Sequence, residues 1–300
     1  MIVTSRAPVR IDFAGGWTDV NIFARGAGGA VVSAAIDRYV TGRLESEEEA
    51  ATNKGERNEG LRVAYQSELP GGSGLGTSSA LNVVWLSLIN NRLSDDADRA
   101  RIAELAYQLE EMLGILGGKQ DQYAAAFGGF NYMTFGEQVT VERLQPPDEM
   151  IKSLERRLVL CYTGKPRLSS NIHEHVWGAF RKGVPETVNA LYDLRNCAIR
   201  MRTVLLEGDI EEFASLLNQN WRHQKALDPS VSNCQIDELF QAAFSSGAIG
   251  GKACGAGGGG CVLFCCAEHK RDAVEAEVDR LGARLIPFRF DYDGLVVAAA

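Results

Sequence analysis

The stretch LPGGSGLGTSSALNVVWL, residues 69–86, constrains this chain more than any other. Four glycines and the hydroxyls of Ser73, Thr77, Ser78 and Ser79 lead straight into an apolar run with helical spacing: Ala80, Leu81, Val83, Val84, Trp85, Leu86, Leu88 and Ile89. A structural turn would need one or two glycines, and one hydroxyl suffices as a helix cap. The excess fits a loop whose backbone closes on an anion at a helix N-terminus, where unpaired N–H groups and the helix dipole favour negative charge. Glycines there let the backbone approach a phosphate closely. Three common phosphate loops do not match. A Walker A loop needs a lysine where this chain has Thr77. A dinucleotide fold needs a strand ending in an acid about twenty residues on, whereas Asp95, Asp96 and Asp98 open a helix. The VAIK and HRD elements of protein kinases are missing.

Composition narrows the classes of partner. Three hundred residues with 45% hydrophobic content can bury the core of one large or two ordinary domains. A formal net charge of -8, with no dense Lys/Arg run, argues against nucleic acid. There is no run of eighteen apolar residues and no signal-peptide pattern at the start, so no membrane partner and a cytoplasmic location are expected. Small molecules remain as the expected partners. The seven cysteines are scattered, with no CxxC pair, which disfavours a structural zinc site or a disulfide framework. His173 and His175, two residues apart, point to different faces of a helix and form no metal pair.

Two halves differ in texture. The first mixes strand-like AVVSAAIDRYVTGRL and LRVAYQSEL with glycine turns and two helices. After FNYMTF, QVTVERL and RRLVLCYTG, periodicity predicts helices over 185–207, 209–226 and 233–246, punctuated by Gly208 and Gly247. CVLFCC reads as a buried strand, followed by a helix through DAVEAEVDRLG and the strand RLIPFRF. The double proline of QPPDEM marks a linker, giving an N-terminal domain over 1–155 that carries the phosphate loop and a C-terminal domain over 156–300. The acidic segment 45–60 reads as a solvated hairpin tip.

PGGSGLGTSSA resembles the second motif of the GHMP kinases, the galactokinase, homoserine kinase, mevalonate kinase and phosphomevalonate kinase superfamily. RAPVRIDFAGGWTD (6–19) resembles the family's first motif and GGKACGAGGGGCVLF (250–264) its third. Within the family the chain is most similar to the heptose 7-phosphate kinases and related bacterial sugar kinases. The resemblance implies an α+β, two-domain GHMP kinase fold, with an N-terminal domain like ribosomal protein S5 domain 2 and a ferredoxin-like C-terminal domain. It implies ATP and Mg2+ as cofactors, and phosphorylation of a sugar hydroxyl by a monomer or homodimer, most simply the anomeric hydroxyl of a heptose 7-phosphate. The alternatives are a kinase of an unphosphorylated sugar such as fucose, or an inactive binding protein of the same fold. Galactose is disfavoured, because galactokinases carry Glu-His where this chain has Gly16-Trp17.

Residue by residue, the resemblance assigns Gly72, Ser73, Gly74, Leu75, Gly76, Thr77, Ser78, Ser79 and, in the third motif, Gly257 to the nucleotide. It assigns Ser78 and Glu110 to magnesium. Glu111 is the competitor, since neighbouring helical residues point about 100 degrees apart and one of the two faces the loop. Asp121, in GKQDQ, is the carboxylate that accepts or orients the substrate hydroxyl proton. Arg10 would hold Asp121 ionised or neutralise transferring charge, and Thr18 and Asp19 would contact the sugar. At YTGKPRLSSN (162–171), Lys165 and Arg167 either bind a distal phosphate on the sugar or form an exposed basic turn. Relatives have a helix between the strand near residue 65 and the second motif; here RVAYQSELPGG runs directly into the loop, in the region that shelters the base.

Overall fold

A computed structural model describes residues 2–48, 59–90, 93, 95–165 and 169–299. The chain opens with β1 (Ile2–Ala14), α1 (Asn21–Ala27), β2 (Gly29–Glu48), β3 (Glu59–Ser67), α2 (Thr77–Ile89), α3 (Asp96–Met112), α4 (Gln120–Phe127), β4 (Phe130–Phe135) and β5 (Val139–Leu144). These strands form an antiparallel sheet in the order β1-β2-β4-β5, with β3 beside the second half of β2. Ala7 to Ala14 of β1 are all buried. Because successive residues of a strand face opposite ways, both sides of β1 are covered.

The remainder runs α5 (Asp148–Arg157), β6 (Leu158–Tyr162), α6 (Ser169–Arg181), α7 (Pro185–Glu207), α8 (Ile210–Lys225), α9 (Cys234–Ser246), β7 (Ala248–Ala253), β8 (Cys261–Cys266), α10 (Arg271–Arg280), β9 (Arg284–Leu285) and β10 (Val296–Ala299). Its sheet has the order β7-β8-β6-β9, all antiparallel. In chain order that is a β-α-β-β-α-β unit, the ferredoxin-like arrangement. LVLCY and CVLFCC are buried at every position, as strands covered on both faces must be. Helix α2 packs on β1 and β2, α7 packs on the same two strands, and α8 bridges α7 to β7.

Local chemistry explains the helix bounds. Asp209 caps α8 by accepting from the Glu211 and Glu212 N–H groups, and Asn233 caps α9 by accepting from Ile236 N–H. Gly208 (φ 79) and Gly247 (φ 116) end α7 and α9 in the left-handed region that glycine tolerates. All three long helices lie within a residue of their predicted bounds.

Four features differ from or extend the sequence reading. QPPDEM is not a loose linker: Pro147 stands at the N-cap of α5, and Asp148 and Glu149 occupy its first turn, where the dipole favours them. The strand β7 separates α9 from the third glycine loop. It reads poorly as a strand because a side chain at Gly250 would strike the Ala214 carbonyl of α8 at 2.4 Å. The strand β10 belongs to the first sheet, pairing Arg6 with Val296 and Val3 with Ala299. Glu48 pairs with Glu59, which makes β2 and β3 a hairpin whose connection, 49–58, lies outside the described residues. As the sequence suggested, no helix intervenes between β3 and the second motif.

Candidate active site

Arg10 ties three pieces together. Its backbone N–H donates to Leu75 O at 3.0 Å, Nη1 donates to Gly74 O at 2.7 Å and Nη2 donates to Asp121 Oδ1 at 2.5 Å. One side chain, 2% exposed, thus joins β1 to the glycine loop and to the first turn of α4. Burial opposes its charge, but the carboxylates of Asp121 and Asp12 outweigh burial and hold its pKa above the ordinary guanidinium value. The loop itself rests on Asp121: Gly76 has φ 77, and a Cβ there would stand 3.1 Å from the Asp121 carboxyl carbon.

The N-terminus of α2 is left without a side-chain cap. Gly76 is its left-handed N-cap, so its first-turn N–H groups face the loop without a side-chain acceptor. The Ser73 and Thr77 hydroxyls bond each other at 3.1 Å. The third motif closes over this loop: Cys261 N–H donates to Ser73 O at 2.7 Å, and a Cβ on Gly260 would stand 2.6 Å from the same oxygen. That approach belongs to Gly260. Gly257 packs on the Val231 carbonyl instead, where a Cβ would meet oxygen at 2.5 Å, so the structure does not bring it to Ser73.

Asp19 is 2% exposed and accepts from Gln120 N–H at 3.0 Å and from Gln120 Nε2 at 3.2 Å. Burial pushes its carboxyl up to about 6, against the Gln120 N–H bond and with the help of the Asp121 charge. Gly118 leaves room for it, since a Cβ there would overlap Asp19 Oδ2 at 1.8 Å. Thr18 does not reach the cleft. It is fully buried, and its hydroxyl sits between Gly15 O at 2.8 Å and Ala30 O at 2.9 Å, fixing the turn after β1.

Glu110 and Glu111 diverge as adjacent helical residues must. Glu110, 6% exposed, accepts from Ser79 Oγ at 2.8 Å, Asn82 Nδ2 at 3.0 Å and Gln122 Nε2 at 2.8 Å, and burial raises its pKa. Glu111 turns away to Tyr107 and Asn21. Ser78 is exposed toward the cleft, and the serine bonded to Glu110 is its neighbour Ser79. Among the described residues no group of three or more His, Cys, Asp or Glu side chains could hold a metal. A magnesium ion that keeps water and phosphate oxygens needs only one or two protein oxygens. Glu110 retains one of about four acceptor positions and Ser78 a free-facing hydroxyl, so the residues present fit it.

Arg10, Asp19, Ser78, Ser79, Glu110 and Asp121 line one open cleft between the two sheets. Lys165 lies outside it, exposed, with its carbonyl accepting from Gly260 N–H at 3.1 Å. Arg167 lies outside the described residues. Among the lining residues that sequence reasoning missed are two aromatic rings. Trp17 holds φ 81, an uncommon conformation for a bulky residue, and its Nε1 is buried with no hydrogen-bond partner. His173 of α6 lies against it with ring centroids 4.4 Å apart and accepts from Trp177 Nε1 at 3.2 Å. The available signal was a tryptophan in a glycine turn. It missed Lys252 too, the lone charge in AIGGKACGAG; its Nζ is buried 2.5 Å from Asp12 Oδ2.

Residues 38–129 match the N-terminal domain of the GHMP kinases, and residues 201–284 match the C-terminal domain. Over 87% of its length the chain is 32% identical to the D-glycero-alpha-D-manno-heptose 7-phosphate kinase of Campylobacter jejuni, covering 88% of that protein. It is 30% identical, over 68% of its length, to a bifunctional fucokinase/GDP-fucose pyrophosphorylase of Arabidopsis thaliana, of which it spans 20%. The crystal structure of a D-glycero-D-manno-heptose 1-phosphate kinase from Bacteroides thetaiotaomicron superposes with a TM-score of 0.76 at 27% identity, with 99% of each chain covered. With both domains matched and a relative this similar along nearly all of its length, the chain belongs to the GHMP kinase family.

Proposed function

We propose that this protein transfers the terminal phosphoryl group of ATP to a sugar hydroxyl, the anomeric hydroxyl of a heptose 7-phosphate or a similar sugar. The observation that carries this reading is the Arg10 guanidinium, bonded at once to the glycine loop and to Asp121. It sets a carboxylate beside an anion-binding helix end, which is the pairing phosphoryl transfer requires. Asp121 Oδ1 is taken by Arg10, which leaves Oδ2 to receive the hydroxyl proton. Asp19 orients the sugar through its hydroxyls. Arg10 stays cationic and offsets charge developing between loop and acceptor. Ser78 and Glu110 would hold the magnesium ion, which when bound neutralises charge on the nucleotide phosphates. The two sheets act as lobes, 1–155 and 156–300, with β10 returning to the first. Seven cysteines outside any disulfide, six of them buried, suit a reducing compartment such as the cytoplasm.

The named relatives include a heptose phosphate kinase and a fucokinase, so a free sugar is the second reading. Lys165, exposed and outside the cleft lining, favours it. ATP consumption measured over hexoses, heptoses and their phosphates discriminates: turnover on heptose 7-phosphate at least tenfold above the free heptose supports the first reading, and the reverse order supports the second. If Arg167 binds a distal phosphate, Arg167→Met loses a charge-assisted contact of about 1.5–3 kcal/mol. The KM for the phosphosugar then rises about ten- to a hundredfold, with ATP kinetics unchanged. Equal impairment on both sugars, or none, removes that role.

A further inference from the structure

Lys252 and Asp12 form a buried ion pair between the two sheets. Lys252, on β7, is 0% exposed and Asp12, on β1, is 1% exposed. Nζ donates to Asp12 Oδ2 at 2.5 Å and to the Asp12 carbonyl at 2.7 Å. The other carboxylate oxygen, Oδ1, accepts from Gly255 N–H at 3.2 Å, at the start of the third glycine loop. Gly16 makes room for this carboxylate, since a Cβ there would lie 2.7 Å from Oδ2. Asp12 therefore fastens β7 and the third loop to β1 by three bonds, two from Lys252 and one from Gly255.

The same carboxylate lies beside the catalytic machinery. Arg10 precedes Asp12 by two residues on β1, so both side chains leave the same face of the strand, and the charge of Asp12 acts on Arg10 alongside that of Asp121. Charges alternate along the line Lys252, Asp12, Arg10, Asp121. Arg10 thus feels the charge of two acids, Asp121 and Asp12, and Asp12 is neutralised and immobilised by a lysine from the other sheet. A buried pair of this kind is a poor stability device, because apolar residues of like volume commonly serve as well. Its position next to Arg10 points to geometry.

We propose that Asp12 and Lys252 are positioning residues for phosphoryl transfer: the pair locks the third glycine loop onto β1 and keeps the Arg10 guanidinium aimed at Asp121. The inference rests on the kinase reading above. Asp12→Asn, nearly isosteric, removes one charge, and the double variant Asp12→Asn/Lys252→Met removes both. The double variant is expected to melt within a few degrees of the parent chain, because no buried charge is left unpaired. Its kcat nevertheless falls about a hundredfold, the scale of a displacement of about 1 Å at the reacting groups, while the KM values for ATP and sugar change by less than about threefold. A double variant that recovers both melting temperature and kcat overturns the proposal, because the pair then serves stability alone.

Amide hydrogen exchange provides the arm that needs no substrate and separates this inference from the kinase reading. In Asp12→Asn, exchange should quicken in 254–260 and in 118–122, with α7 and α9 unchanged. Unaltered protection in both segments overturns the proposal whatever the acceptor. If exchange quickens as expected while the parent chain phosphorylates no sugar, the kinase reading fails and the locking role stands.

Discussion

Asp19 combines burial, a raised pKa and a place in the lining of the cleft. Its folded-state pKa of about 6 stands above the ordinary 3.8, so between about pH 4 and 6 the folded chain binds more protons than the unfolded chain. Stability accordingly falls as pH rises through that window. The gap is equivalent to about 3 kcal/mol, and Asp19→Asn removes it. The new amide nitrogen can donate to Gln120 Oε1, which is buried without a partner, after the Gln120 amide turns over. The expected result is a variant more stable than the parent at pH 7 by about 1–3 kcal/mol, with a smaller loss of stability between pH 4 and 6. Denaturant unfolding at several pH values measures both, and a destabilised variant at pH 7 contradicts the account. With the carboxylate form in the proposed role of gripping sugar hydroxyls, parent kcat/KM for the sugar should decline below about pH 6. In Asp19→Asn the sugar KM should rise about tenfold or more, for loss of a charge-assisted bond worth about 1.5–3 kcal/mol.

At the scale of elements, two glycines allow α2, α3 and α4 to meet the loops. Gly76→Val adds a branched side chain at φ 77, in a space 3.1 Å from Asp121. Nucleotide binding, followed by calorimetry, should be lost, because the branch occupies the loop mouth and the αL backbone is denied to it. A variant that binds ATP normally would make the loop a structural turn. Gly118→Ala drives a methyl into Asp19 and should raise the sugar KM while leaving the ATP KM within about threefold. Equal losses for both substrates would contradict separate sugar and nucleotide halves.

These elements were largely legible in the sequence, because helix caps, glycines with positive φ and apolar periodicity act over a few residues. The difference between Glu110 and Glu111 was legible only as a choice, and the three donors that settle their orientation, Ser79, Asn82 and Gln122, come from two further helices. Thr18 was assigned to the sugar with Asp19 on the resemblance of the first motif; its hydroxyl lies between Gly15 O and Ala30 O. Gly257 and Gly260 stand in one unbroken glycine run, and nothing local distinguishes which of them meets Ser73.

The features that sequence could not supply belong to the whole molecule. The Asp12–Lys252 pair spans 240 positions, Trp17 meets His173 across the lobes, and β10 returns to β1. Such contacts follow from how two sheets share α7 and α8, which no short window records. They also put the cleft between the lobes: β1, α2, α3 and α4 supply the acids and border the glycine loop, while α6 and the third motif supply the opposite wall. Among the described residues no helix is long and apolar enough to cross a membrane.

Phosphorus NMR of a reaction containing ATP, Mg2+ and heptose 7-phosphate, run with the parent chain and with Asp121→Asn, tests the central claim most directly. The account predicts that the parent yields ADP and an equal amount of a new sugar phosphate whose resonance couples to the anomeric proton. Asp121→Asn should form the same product about 10²–10⁴-fold more slowly with ATP affinity unchanged. Failure of the parent to phosphorylate this or any other sugar, or near-normal product formation by Asp121→Asn, would contradict it.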